Sequence, residues 1–102
     1  MLETLAEAEV KSVALPNDGT PVSIGKVVGS SCCIIMLYER DATGQSAILV
    51  SAGASITKLI GDYFAENNTT LKCYIDSSKN IMVAMTHNTP GRLFYKIIRS
   101  YY

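Results

Sequence analysis

The chain has 102 residues, 48% of them apolar and 18% charged, and nine basic side chains balance nine acidic ones. That length holds a single domain, read as residues 1–102, around one core. A zero net charge offers no field for nucleic acid or anionic lipid, and no apolar run approaches the roughly 20 residues that span a bilayer, so neither is expected as a partner.

The front, "MLETLAEAEV", spaces Leu2, Leu5, Ala6 and Val10 along one helical face and predicts a short first helix. It lacks the basic start and apolar centre of a signal peptide, which points to a cytoplasmic location. In "SVALPNDGTPVSIGKVV" the turn residues "PNDG" divide two short apolar runs that read as strands. Cys32 to Tyr38 is the next strand, and its unbroken apolar character predicts cover on both faces. "ERDATGQ" turns the chain, and "SAILVSAG" returns as the hairpin partner.

"ASITKLIGDYFAENN" places Ile56, Leu59, Ile60, Tyr63 and Phe64 at the spacing of one buried helical stripe, with Ser55 as N-cap and Asn67 or Asn68 at the end. "LKCYID", "SSKN" and "IMVAMTH" form a hairpin in which Leu71, Cys73 and Ile75 alternate with wetter neighbours. Thr89 and Pro90 can open a last helix with Leu93, Phe94, Ile97, Ile98 and Tyr101 as its apolar stripe, while Arg92, Lys96 and Arg99 solvate it. A competing reading makes "RLFYKII" a strand, on its β-branched content. The expected fold class is α+β, an antiparallel sheet of about five strands with helices on one face, in the order α-β-β-β-α-β-β-α.

Three cysteines without a CxxC pair suit reduced thiols better than a disulfide framework. Cys32 and Cys33 are strand neighbours that point to opposite faces, so they cannot easily share a metal, and no metal or cofactor is expected. A nucleophilic thiol needs a base or a cation beside it. "GSSC" before a strand resembles the Ser-Gly-Cys element of cysteine glutamine deamidases, which implies Cys33 as nucleophile, with His87 approaching in space. Those enzymes carry a histidine on the following strand, where this sequence offers only Ser51 as a polar candidate. "GKVVG" lacks the Lys-Ser/Thr of a phosphate loop, and Asp62 with Glu66 reads as a solvated pair on a helix.

The second half, "IGDYFAENN", "LKCYID", "SSKN" and "IMVAM" before a last helix, is similar to the YbjN-type bacterial sensory transduction regulators, and "CCIIMLYERDATGQSAILVSAG" matches that family's central hairpin. The resemblance covers roughly Cys32 to Tyr102. It implies the fold of type III secretion chaperones and a dimeric, non-enzymatic domain that binds protein segments.

The leading functional expectation is therefore a non-enzymatic protein-binding module, chaperone-like or regulatory, acting as a homodimer. A surplus of apolar residues over charged ones supports it, and Ile56, Leu59, Ile60, Tyr63 and Phe64 form the expected binding surface. A cysteine deamidase or hydrolase using Cys33 and His87 is the alternative, and a roadblock or longin-like scaffold is a further one, conditional on "RLFYKII" being a strand.

Overall fold

The structure is a computed structural model that describes residues 10–27, 32–52, 55–61, 63–64 and 68–100. The chain forms eight strands: β1 (Lys11–Leu15), β2 (Val22–Lys26), β3 (Cys32–Glu39), β4 (Ser46–Ala52), β5 (Ser55–Ile60), β6 (Leu71–Ile75), β7 (Asn80–Met85) and β8 (Gly91–Ser100). They build two antiparallel sheets, one of five strands in the order β1-β8-β3-β4-β5 and one of three in the order β2-β7-β6. The core lies between the sheets: Leu15, Cys33, Ile35, Leu37, Leu49 and Leu93 from the larger sheet meet Ile24, Leu71, Cys73, Ile81, Val83 and Met85 from the smaller. Each large aliphatic side chain buried there contributes about 1.5–3 kcal/mol.

This all-β sandwich replaces the expected α+β fold, and with it the fold implied by the chaperone-like resemblance. Among the described residues there is no helix, and the helix expected over residues 2–10 lies, except for Val10, outside them. Residues 55–60 are a strand paired to β4, with a register shift between Ile48 and Leu49. Ile56, Thr57 and Ile60 are β-branched, and their preference for a pleated surface combines with ladder hydrogen bonds that a helix would forgo. Gly61 then ends the run at φ 106°, where a Cβ would stand 2.5 Å from the Ser46 carbonyl oxygen, so no other residue fits this turn. Phe64 lies beyond it, fully buried, bridged to Lys72 in its own left-handed kink. The apparent helical stripe thus joins residues of a strand to residues of a turn.

The expected last helix is also a strand. β8 is an interior strand of its sheet, pairing with β1 over Lys11–Leu15 and with β3 over Cys32–Glu39. Two partners satisfy its backbone on both edges, and β-branched Ile97 and Ile98 suit that setting. Pro90, the expected helix start, stands just before the ladder, where its missing N–H leaves no pair broken.

The β3–β4 and β6–β7 hairpins form as expected. The "PNDG" turn does separate two strands, but β1 and β2 belong to different sheets. Between β6 and β7, Asp76 Oδ1 accepts the N–H groups of Ser78 and Asn80 at 2.9 and 2.8 Å, and these donations hold its carboxyl below the usual range. Lys79 closes that turn at φ 69°, a conformation that favours glycine.

Candidate functional site

Strand β3 was expected to be covered on both faces, and it is covered on one. Cys33, Ile35, Leu37 and Glu39 point inward and are buried, whereas Ile34, Met36 and Tyr38 are 41, 40 and 42% exposed. Alternation alone dictates that split, since successive strand side chains face opposite ways. The register continues each outward residue into a row across the sheet. Ile34 lies between Ile98 and Val50, Met36 between Lys96 and Ile48, and Tyr38 between Phe94 and Ser46. The result is a contiguous apolar face on the outside of the five-stranded sheet.

The half of that face nearest β1 is concave. A cleft of about 610 Å³ is lined by Val10, Met36, Tyr38, Ile48, Phe94 and Lys96, among others. At its rim the Arg40 guanidinium sits 5.0 Å from the centre of the Phe94 ring, and the Tyr38 and Phe94 rings are 6.4 Å apart. Arg40 also pairs with Asp41 at 2.6 Å, which raises the pKa of the guanidinium and holds the Asp41 carboxyl below its usual range. Both partners are exposed, so solvent screens most of that attraction. Lys96 meets no acidic side chain among the described residues.

Below the rim, Glu39 fixes the corner from which the face is displayed. Its carboxylate is fully buried yet accepts the N–H groups of Asp41, Ala42, Thr43 and Arg92 and the Thr43 hydroxyl. Burial pushes its pKa up, but the donors, led by Thr43 and Ala42, more than offset this and leave the group below the ordinary glutamate value. Gly91 makes room for it: a Cβ there would collide with Glu39 Oε2. This carboxylate is a structural clasp whose acceptor sites are taken up by the turn, and it faces no open cleft.

The residues singled out from sequence lie elsewhere. Cys33 is fully buried on the inner face, with Arg99 Nη1 3.5 Å from its sulfur; the same nitrogen donates to the Lys26 carbonyl at 2.6 Å. Ser51, its register partner on β4, is buried with a hydroxyl that has no hydrogen-bond partner among the described residues. His87 stands at the other end of the sandwich. Cys33 is opposite Arg99 and Glu39 is opposite Leu93, about 20 Å along the ladder, and His87 lies beyond that end. It serves as a loop pin, its N–H donating to the Asn17 carbonyl at 3.1 Å and its carbonyl accepting from Asn17 Nδ2 at 3.0 Å. The structure does not bring Cys33 and His87 together.

The expected binding residues are described in part. Ile56 and Tyr63 pack half-buried against the core and Phe64 is inside it, while the side chains of Leu59 and Ile60 lie outside the described set. None of the three cysteines is in a disulfide, and among the described residues no group of three or more His, Cys, Asp or Glu side chains could hold a metal ion. An unbroken apolar strand suggests cover on both faces, and that hides the outer-face residues. The signal that could have found them is that such a strand in a 102-residue antiparallel sandwich has only one core to face.

No protein-family model matches the chain, and no curated protein sequence is similar to it. Among solved structures it is similar to the tailspike protein of an Acinetobacter phage, with a TM-score of 0.50 and 14% sequence identity. The match covers 89% of this chain and 21% of the tailspike chain, so the shared fold is that of about a fifth of a longer protein. Among the described residues no helix is long and apolar enough to cross a membrane.

Proposed function

We propose that this chain is a non-enzymatic assembly module, a β-sandwich that binds a second copy of itself through the outer face of its five-stranded sheet. The observation that carries the reading is the row Ile98–Ile34–Val50, in which both isoleucines are 41% exposed on a face with no covering element among the described residues. Exposed apolar patches of this continuity mark interaction surfaces. The row is free of charge, so two copies can stack there without bringing like charges together. The expected homodimer thus keeps its motive, but its surface moves from residues 56–64 to β3, β4 and β8.

The likeness to part of a phage tailspike agrees with this reading at the level of architecture. A sandwich of this kind occurs there as a stretch of a much longer chain. We extend the proposal to that setting: the module serves as one structural unit in a larger protein particle. Against the deamidase alternative, Cys33 has Arg99 beside it but is enclosed, and His87 is remote.

Sedimentation velocity over a range of concentrations tests the proposal, with wild type set against the double variant Ile34→Glu, Ile98→Glu. Wild type should associate as concentration rises, and the double variant should remain monomeric with an unchanged thermal transition. A wild type that stays monomeric at every concentration would remove the basis of the reading.

A further inference from the structure

A thiol inside one end of the sandwich takes no part in either outer face. Cys33 on β3 lies between Arg99 on β8 and Ser51 on β4, and the register puts all three on the inner face of the larger sheet. Cys33 and Ser51 are fully buried, whereas Arg99 is partly exposed. The Arg99 guanidinium crosses to the smaller sheet, where Nη1 donates to the Lys26 carbonyl at 2.6 Å while standing 3.5 Å from the Cys33 sulfur. Gly25 leaves space for that crossing, since a Cβ there would come within 3.1 Å of Arg99 Nη2 and 3.2 Å of Ile97 Cδ1. A buried sulfur is thereby held against a cationic donor.

The Ser51 hydroxyl faces the same sulfur from the other side. It is a fully buried polar group without a hydrogen-bond partner among the described residues, and a group left in that state costs stability. Directly opposed side chains in a sheet have Cβ atoms about 4.5–5.5 Å apart, so Ser51 and Cys33 are neighbours, yet no hydrogen bond joins them. Both side chains are short, while the next inward-facing pair along the ladder is Ile35 and Leu49. One atom added to the sulfur makes a side chain no longer than that isoleucine. An oxygen there would meet two donors, an Arg99 N–H and the Ser51 hydroxyl.

We infer that Cys33 is a site of oxidation by hydrogen peroxide and that Arg99 and Ser51 hold the sulfenic acid so formed. The sulfur attacks one peroxide oxygen, an S–O bond forms as the O–O bond breaks, and the second oxygen leaves as water with the thiol proton. Sulfur gives up two electrons and peroxide takes them. The row lies one residue inside the ends of three strands, because β3 begins at Cys32, β4 ends at Ala52 and β8 ends at Ser100. Opening of strand ends admits a water-sized oxidant, and reclosing shuts out larger thiols. Donation to the new oxygen draws electron density from the sulfur and slows its attack on a second peroxide, the step to sulfinic acid. Cys32 points to the opposite face, between Ser100 and Ala52, away from both donors.

The test exposes the native full chain to hydrogen peroxide, stops the reaction with catalase at set times, and unfolds the protein in dimedone, which tags sulfenic acid. Fragment ions from peptide mass spectrometry then assign the tag, or sulfinic acid, to Cys32 or Cys33. In the wild type Cys33 should carry the tag, with sulfenic acid in excess of sulfinic acid. Ser51→Ala removes an unpaired buried hydroxyl and should unfold at a temperature no lower than wild type, but its ratio of sulfinic to sulfenic acid at Cys33 should rise at least severalfold. A wild type tagged only at Cys32, or untagged, overturns the assignment of the site. An unchanged ratio in Ser51→Ala overturns the role given to its hydroxyl.

Discussion

The outer faces of the two sheets are built from the same pleat and carry different chemistry. On the three-stranded sheet, Ser23, Thr70, Lys72, Tyr74 and Thr86 share the outside with Met82, and the Lys72 ammonium stands 5.8 Å over the Tyr74 ring. A shallow depression there, about 320 Å³, is lined by Gly19, Asn68, Thr69, Thr70, Lys72, Ala84 and Thr86. On the five-stranded sheet the equivalent positions hold Ile34, Met36, Ile48, Val50, Phe94 and Ile98, with Tyr38, Ser46 and Lys96 at one end. Water solvates the first face at little cost, while the second exposes contiguous apolar surface that association would remove from water. Both faces enclose the same core, so their difference reports what lies outside each sheet and says nothing about how the sandwich holds together.

The sharpest way to break that comparison is a pair of alanine substitutions one residue apart. Ile35→Ala removes a fully buried side chain from the core and should cost about 2–5 kcal/mol, whereas Ile34→Ala on the outer face should cost less than about 1 kcal/mol in the monomer. Equal losses in urea unfolding would mean that the outer face is packed as tightly as the core. Next in size is the clasp that holds the β3–β4 corner. Gly91→Ala forces a methyl into the Glu39 carboxylate and should cost about 2–4 kcal/mol, measured by the same unfolding curves. Its partner Glu39→Gln should lose about 2 kcal/mol, because a neutral amide cannot accept from the whole turn.

The same carboxylate sets a pH window. Its native pKa lies below the ordinary glutamate value, so ionised Glu39 stabilises the fold above the unfolded-chain pKa near 4.3, and that contribution fades as pH falls through the native value. Thermal stability of the wild type should drop below about pH 4.5 more steeply than that of Glu39→Gln. Parallel pH profiles would show that the corner does not depend on charge. The smallest expected effect belongs to the polar sheet. Lys79→Gly relieves a left-handed residue in the β6–β7 turn and should stabilise by about 0.5–1 kcal/mol in thermal unfolding. It should leave self-association untouched, since the turn lies on the other sheet.

Both hairpins were legible in the sequence because turn residues and period-two patterning agree there, as in Asp76–Asn80 between Cys73 and Ile81. Ser55–Ile60 and Gly91–Ser100 were not, and for one physical reason. Their apolar residues fall at spacings that suit either a helix or a strand, and tertiary pairing decides between them. β8 gains two ladder partners and β5 gains one, which no local window can display. The candidate site was legible only as a surplus: apolar content too high for one small core was noted, and its location required the register that places Ile98, Ile34 and Val50 side by side. Cys33 drew attention as a reactive group, but its inward position follows from the same alternation that turns Ile34 outward.

The most direct test of the claim that the outer face of the five-stranded sheet is a covered docking surface uses the chain's own methionines. Met36 lies on that face, Met82 on the outside of the three-stranded sheet, and Met85 in the core. In the isolated sandwich Met36 is the most exposed of these three, at 40%. Oxidation by hydrogen peroxide, resolved by peptide mass spectrometry on the full chain at concentrations that permit association, ranks their protection in solution. The account predicts that Met36 reacts more slowly than Met82 and that the double variant Ile34→Glu, Ile98→Glu reverses the order. Met36 reacting fastest of the three in the wild type would contradict it.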